Sequence, residues 1–125
     1  MTADASEVLH LALRTDWEQA RAAGQYTVSS RGLTLAGVGF VHASTPAQLP
    51  GVRARFYADV PDDELVVLHL AVPALSAAGS PVRWEPVGGE LFPHVYGPVP
   101  VAAVSAVTGV AGVSGVTGVS APGPG

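Results

Sequence analysis

Four histidines, His10, His42, His69 and His94, are the chain's most versatile chemical groups. Imidazole titrates closest to neutrality of any unperturbed side chain, so it can act as acid, base or hydrogen-bond partner in place. Cysteine is absent, which removes disulfides, thiolate metal sites and a thiol nucleophile together. No His-x-His or His-x-x-x-His pair occurs; a metal would need ligands from distant segments, and none is expected. The sequence also lacks a Gly-x-Ser-x-Gly elbow, a P-loop and a dinucleotide-binding glycine fingerprint.

The spacing around His42 is the most suggestive. Gly39–Ser44, GFVHAS, reads as a strand, and alternation puts Phe40, His42 and Ser44 on one face. Thr45-Pro46-Ala47-Gln48 follows, with Thr45 placed as a helix cap, Pro46 at the first helical position and Gln48 at the third. An imidazole, the hydroxyls of Ser44 and Thr45 and helix-start amides then converge, a set suited to an anion such as phosphate. The plainer alternative is that Ser44 and Thr45 only cap.

His10 sits mid-strand in Val8–Leu13, where a histidine is more often a hydrogen-bonded core group than a catalyst. His69 shares a face with Leu65, Val67 and Ala71 and reads as a packing residue. His94 lies in LFPHVYG, where Pro93 and Tyr96-Gly97-Pro98 indicate a stiff loop that presents a polar group. Among the carboxylates, Asp59, Asp62, Asp63 and Glu64 form a solvated acidic turn. Glu85 and Glu90 flank the glycine-rich stretch before LFPH, and either is a candidate general base or ribose-binding carboxylate. A salt bridge from Glu85 to Arg83 is the structural alternative.

These groups need a scaffold. Val8–Leu13 is a first strand, and Thr15-Asp16-Trp17-Glu18 has the capping-box pattern for a short helix from Asp16 to about Ala23, stopped by Gly24. Tyr26–Ser29 forms a brief extended segment and Ser30–Gly37 a loop. Pro50 and Gly51 interrupt the turn after Thr45, with helix resuming over Val52–Ala58. LVVLHLAV, Leu65–Val72, is too apolar for a one-sided sheet and is expected at its centre. Pro73–Gly89 is mostly irregular with a short strand at Val82–Glu85, and Val101–Val107 forms a last strand. The expectation is an α+β domain with two short helices: a flexible 1–6, one folded unit over 7–107, and an uncharged Gly/Val/Ser tail over 108–125.

Composition narrows the function classes. Hydrophobic residues make up 48% of the chain and charged residues 13%, enough apolar surface for one packed core. The net charge is −4 with six basic residues, all arginine, and only Arg53 and Arg55 lie close together, which argues against nucleic-acid binding. No stretch is apolar enough to span a membrane and the N-terminus lacks a signal-peptide pattern, so a cytoplasmic protein is expected.

VLHLALRTDWEQARAAGQY, GFVHASTPAQL, and WE followed by LFPHVYGPVPVAAV together resemble the bacterial and plant family known as domain of unknown function 952, over roughly residues 8–107. That family is similar in fold to ADP-ribosyltransferases, which bind NAD in a cleft between two small sheets. The resemblance implies a split-sheet domain with NAD as substrate. It places His10 as a ribose-binding histidine, Ser44 and Thr45 as a hydroxyl-bearing second motif, and Glu85 or Glu90 as the acid that stabilises an oxocarbenium ion as nicotinamide departs. The Glu-x-Glu or Gln-x-Glu pair of transferases is absent.

Three readings follow. In the first, a small nucleotide-handling, NAD-dependent enzyme holds its ligand with His10, His42, Ser44 and Thr45, while Glu85 and His94 stand near the reacting centre. In the second, the histidines form a buried network in a non-catalytic ligand-binding or interaction module. In the third, the least favoured, His10, His42, His94 and Glu85 bind a metal in a hydrolase.

Overall fold

A computed structural model describes residues 6–110 of the chain. The first strand, β1 (Glu7–Leu13), runs directly into helix α1 (Arg14–Ala23), which Gly24 ends with a left-handed φ of 94°. Thr15 therefore falls inside the first turn and makes no capping bond. The helix buries Trp17 and Ala20, three residues apart and so on one face.

Short pieces follow, the first two along the expected extended segment and the last two where a loop was expected. They are β2 (Gln25–Tyr26), β3 (Val28–Ser30), β4 (Leu33–Thr34) and the one-turn helix α2 (Leu35–Val38), capped by the Thr34 hydroxyl. The GFVHAS strand is reduced to β5 (Val41–His42). Thr45 and Gln48 do exchange the two expected bonds, Thr45 N–H to Gln48 Oε1 at 3.0 Å and Gln48 N–H to the Thr45 hydroxyl at 3.1 Å. They close a turn that feeds α3 (Leu49–Phe56). Pro50 and Gly51 do not break this helix: Pro50 stands in its first turn, where the missing N–H has no intrahelical partner to lose.

The second half holds β6 (Leu65–Ala71), α4 (Val72–Ala77), β7 (Val82–Val87), β8 (Glu90–Val95), β9 (Val99–Pro100) and β10 (Val104–Thr108). The described residues thus contain four α-helices rather than two. Helix α4 begins with Pro73 in its first turn, a position proline favours. His94 belongs to strand β8 rather than to a loop.

The fold is α+β, with two three-stranded antiparallel sheets as its main parts. One is ordered β1-β6-β10 and the other β5-β8-β7. Strand β6 is central, as its apolar run requires, and alternation sends Val66, Leu68 and Leu70 into one core and Leu65 and Val67 into another. The larger core takes Val8, Ala12, Trp17 and Tyr26; the smaller takes Leu9, Leu11, Leu49 and Tyr57. Val110, beyond the last strand, is buried in the smaller core. Of the sequence's C-terminal tail, residues 111–125 lie outside the described residues.

Candidate functional site

The two sheets meet at a single backbone bridge, where Leu9 and Ser44 exchange N–H···O bonds of 2.8 Å in both directions. One residue further along β1, His10 ties the same seam with its side chain. Its Nδ1 lies 2.5 Å from the His42 carbonyl, which can only accept, so Nδ1 carries the proton. Its Nε2 is then the acceptor for the Tyr26 hydroxyl at 2.9 Å. His10 is 3% exposed, and burial lowers its pKa to about 4. It is a neutral group with both nitrogens engaged, as a core histidine should be.

His42 and His94 face each other across the antiparallel pairing of β5 and β8. Their rings meet edge to face with centroids 5.5 Å apart, and Phe40 stacks on His94 at 4.0 Å. Behind His42, the Ser29 hydroxyl donates to the Phe40 carbonyl at 2.5 Å. Its oxygen therefore accepts from His42 Nδ1–H at 3.0 Å, and the Ser29 carbonyl shares that proton at 3.3 Å. Behind His94, Nδ1–H donates to Glu85 Oε1 at 2.7 Å, and the Tyr96 hydroxyl donates to the same oxygen at 2.7 Å. Register explains the contact: Arg83 stands directly opposite His94 and Glu85 opposite Phe92, so Glu85 reaches His94 on the diagonal.

Both rings are thus held in the Nδ1–H form with Nε2 facing away from their supports. Among the described residues neither Nε2 has a protein partner, and neither is sealed from solvent. Burial, with a smaller effect from the neighbouring His94, pulls the His42 pKa below its ordinary value. The Tyr96 hydroxyl first, and His94 second, lower the Glu85 carboxyl and keep it ionised.

The open nitrogens lie on a cleft of about 560 Å³ between the β5-β8-β7 sheet and α3. Alternation along the β7–β8 hairpin turns Phe92, His94, Val87 and Glu90 to this side. Helix α3 adds Val52, Arg55 and Phe56, and Leu33 and Phe56 leave an apolar rim half exposed. Arg55 is an arginine on the cleft wall that forms no ion pair among the described residues; Arg31 and Arg53 are bound by Asp59 and Asp62.

Of the residues singled out in the sequence, His10, His42, Ser44 and His94 line this cleft together, and Glu90 joins them, held by Gln48 Nε2 at 3.0 Å. Glu85 shares the hairpin face of His94 but is not among the residues that line the cleft, and it pairs with that histidine rather than with Arg83. Thr45 is also outside the lining, its hydroxyl used in the turn. His69 is remote, bonding Glu7 across the main sheet at 3.1 Å and Thr108 at 3.0 Å. Sequence reasoning passed over Ser29, Tyr96 and Arg55. The first two act through contacts between distant segments. Arg55 had a signal: it falls seven residues after Gln48, on the same side of a helix that the sequence seemed to break at Pro50 and Gly51. Among the described residues no group of three or more histidines and carboxylates is placed to hold a metal ion. No described helix is long and apolar enough to cross a membrane.

A split-sheet α+β domain with an imidazole-lined cleft is the class of protein that fold and geometry define. The chain belongs to a family of proteins of unknown function, DUF952, whose model matches residues 11–107. No curated protein matches the sequence. Among solved structures it is similar to protein CC0527 from Caulobacter crescentus. The crystal structure of that protein has a TM-score of 0.69 at 27% identity, covering 82% of this chain and 84% of that one. Its solution structure has a TM-score of 0.64 at 25% identity, covering 83% and 84%. The chain is also similar to DarT of Thermus sp. 2.9 in complex with carba-NAD+, with a TM-score of 0.55 and coverage of 85% and 83%. At 10% identity that likeness is one of fold alone.

Proposed function

We propose that this protein is a nucleotide-handling enzyme that takes an NAD-type substrate in the cleft between α3 and the β5-β8-β7 sheet. The observation that carries this reading is the pair His94–Glu85: an imidazole with an open Nε2 on the cleft and an ionised carboxylate behind it. Glu85 does not touch the cleft, so its charge acts through His94. In the reaction the bond between nicotinamide and ribose breaks, and its electron pair leaves with nicotinamide. Positive charge develops on the ribose, where a hydrogen bond to a carboxylate-backed imidazole becomes stronger. Water adds to the ribose carbon and one proton is released, giving ADP-ribose and nicotinamide. Arg55, which has no ion-pair partner among the described residues, suits the diphosphate. The likeness in fold to a protein complexed with carba-NAD+ supports the same ligand class.

A specific observation favours a second reading, a non-catalytic nucleotide-binding module. Glu85 is not among the residues that line the cleft, and His10 is committed on both nitrogens to structural partners. One experiment addresses both. NAD+ is titrated into labelled protein while nicotinamide release is followed. Shifts at Phe40, His42, Arg55 and His94 with release that Glu85→Gln abolishes support the enzyme. The same shifts without release support the binding module. No shift at saturating NAD+ overturns both.

A further inference from the structure

We propose that His42 and His94 together form a subsite for a vicinal diol, which they recognise as two uncharged hydrogen-bond acceptors. The inference deepens the nucleotide reading by naming which part of the ligand meets the imidazole pair: the hydroxyls of a furanose, not its phosphates.

The argument rests on what each ring has left to offer. A neutral imidazole has one donor and one acceptor, and the supports fix which is which. The Glu85 carboxylate can only accept, so His94 Nδ1 must donate, and in the neutral ring Nε2 is then a bare lone pair. Ser29 reaches the same result for His42 by two routes. Its carbonyl can only accept, and its hydroxyl proton is already given to the Phe40 carbonyl. Two lone pairs are therefore offered at the cleft, on rings that line it edge to face with centroids 5.5 Å apart. Two adjacent acceptors attract two adjacent donors. Hydroxyls on neighbouring ring carbons supply them, while a phosphate or carboxylate brings only further lone pairs.

Four of the backbone donors at this end of the cleft are already spent. The amide of Ser44 bonds the Leu9 carbonyl at 2.8 Å, and that of Thr45 bonds Gln48 Oε1 at 3.0 Å. The amides of Gln48 and Leu49 each return to Thr45 at 3.1 Å. The anion subsite that the Ser44-Thr45 sequence suggested has no open donor among these four amides, and Arg55 is the cation on the cleft wall. Phe40, stacked on His94 and edge-on to His42, fixes both rings from one side. A pocket so arranged distinguishes ribose from deoxyribose, because a missing hydroxyl leaves a lone pair without a partner.

The test uses the whole chain at neutral pH. The imidazole nitrogens of His42 and His94 are followed by 15N NMR during titration with methyl β-ribofuranoside and its 2-deoxy counterpart, then with AMP and 2′-deoxy-AMP. The expected result is that ribose-bearing probes move both Nε2 signals without protonating either ring, and that the deoxy probe binds about five- to tenfold more weakly, the loss of one hydrogen bond. Ser29→Ala removes one of the two acceptors of His42 Nδ1–H and keeps the backbone carbonyl, so it should weaken that preference without erasing it. Equal affinity for ribose and deoxyribose probes overturns the proposal, as does binding that protonates the rings, or no response to any riboside. Response to the simple riboside without any response to NAD+ upholds the diol subsite and refutes the NAD reading instead.

Discussion

Mild acid should single out the histidine at the seam between the sheets. His10 has its folded pKa lowered from 6.5 to about 4 by burial. Below 6.5 the unfolded chain takes up a proton that the folded chain refuses, so stability falls as the pH drops and levels off below about 4. That lowering converts to roughly 3 kcal/mol in all, most of which is already lost near pH 4.5. His42, also lowered, adds in the same direction. The carboxylates act later. Asp59, held at about 2 by Arg31, contributes stability above its ordinary 3.8 and loses it only as the pH falls toward 2. The assay is a set of urea melts between about pH 7 and about pH 4.5 on the natural chain and on His10→Gln. The natural chain should lose about 2 kcal/mol more over that interval than the variant. Parallel profiles would refute the assignment of His10 as a buried neutral seam residue.

His94→Ala removes a 4%-exposed ring and leaves Glu85 with one donor fewer; it should cost roughly 1–3 kcal/mol in a denaturant melt, and a cost near zero would return His94 to a surface role. Tyr96→Phe deletes the largest of the influences that lower Glu85, so the Glu85 carboxyl should titrate at a higher pH when followed by 13C NMR. Gly97→Ala places a methyl against the Ser80 side chain at a φ of 150°, and a drop in melting temperature of several degrees is expected. Val110→Ala should cost about 1–3 kcal/mol, because that valine is enclosed by the smaller core; an unchanged melting temperature would show that its burial contributes nothing.

What the sequence revealed depended on whether the cause was local. Strand β6 was legible because its apolar run is uninterrupted but for His69, and the end of α1 because glycine accepts a left-handed backbone. The family motifs located His10, His42 and His94, and alternation put His42 and Ser44 on one side. His94 was misread as a loop residue because Pro93 precedes it, and proline usually excludes a strand interior. Pro93 survives in β8 by using what proline keeps: its carbonyl accepts the Ala43 amide at 3.0 Å. The partners of the imidazoles were invisible for another reason. Ser29 meets His42 across thirteen residues, Glu85 meets His94 across nine, and no periodicity encodes a contact set by the register of short strands. Arg55 was hidden by an expected break in its own helix.

The order of the main sheet also shapes how the chain must be made. Strand β6 is flanked by β1, from the very start of the described chain, and by β10, from its end. A ribosome releases β1 first, yet, the Leu9–Ser44 bridge aside, this strand finds no partner in its own sheet until more than fifty further residues have emerged. When β6 then arrives, one side pairs with β1 while the other remains a bare hydrogen-bonding edge until Val104–Thr108 has cleared the exit. During that interval the most hydrophobic segment of the protein is half covered, which is when edge-to-edge association between nascent chains competes with folding. Translation pauses or truncations before Thr108 are therefore expected to yield aggregates rather than a slightly loosened monomer.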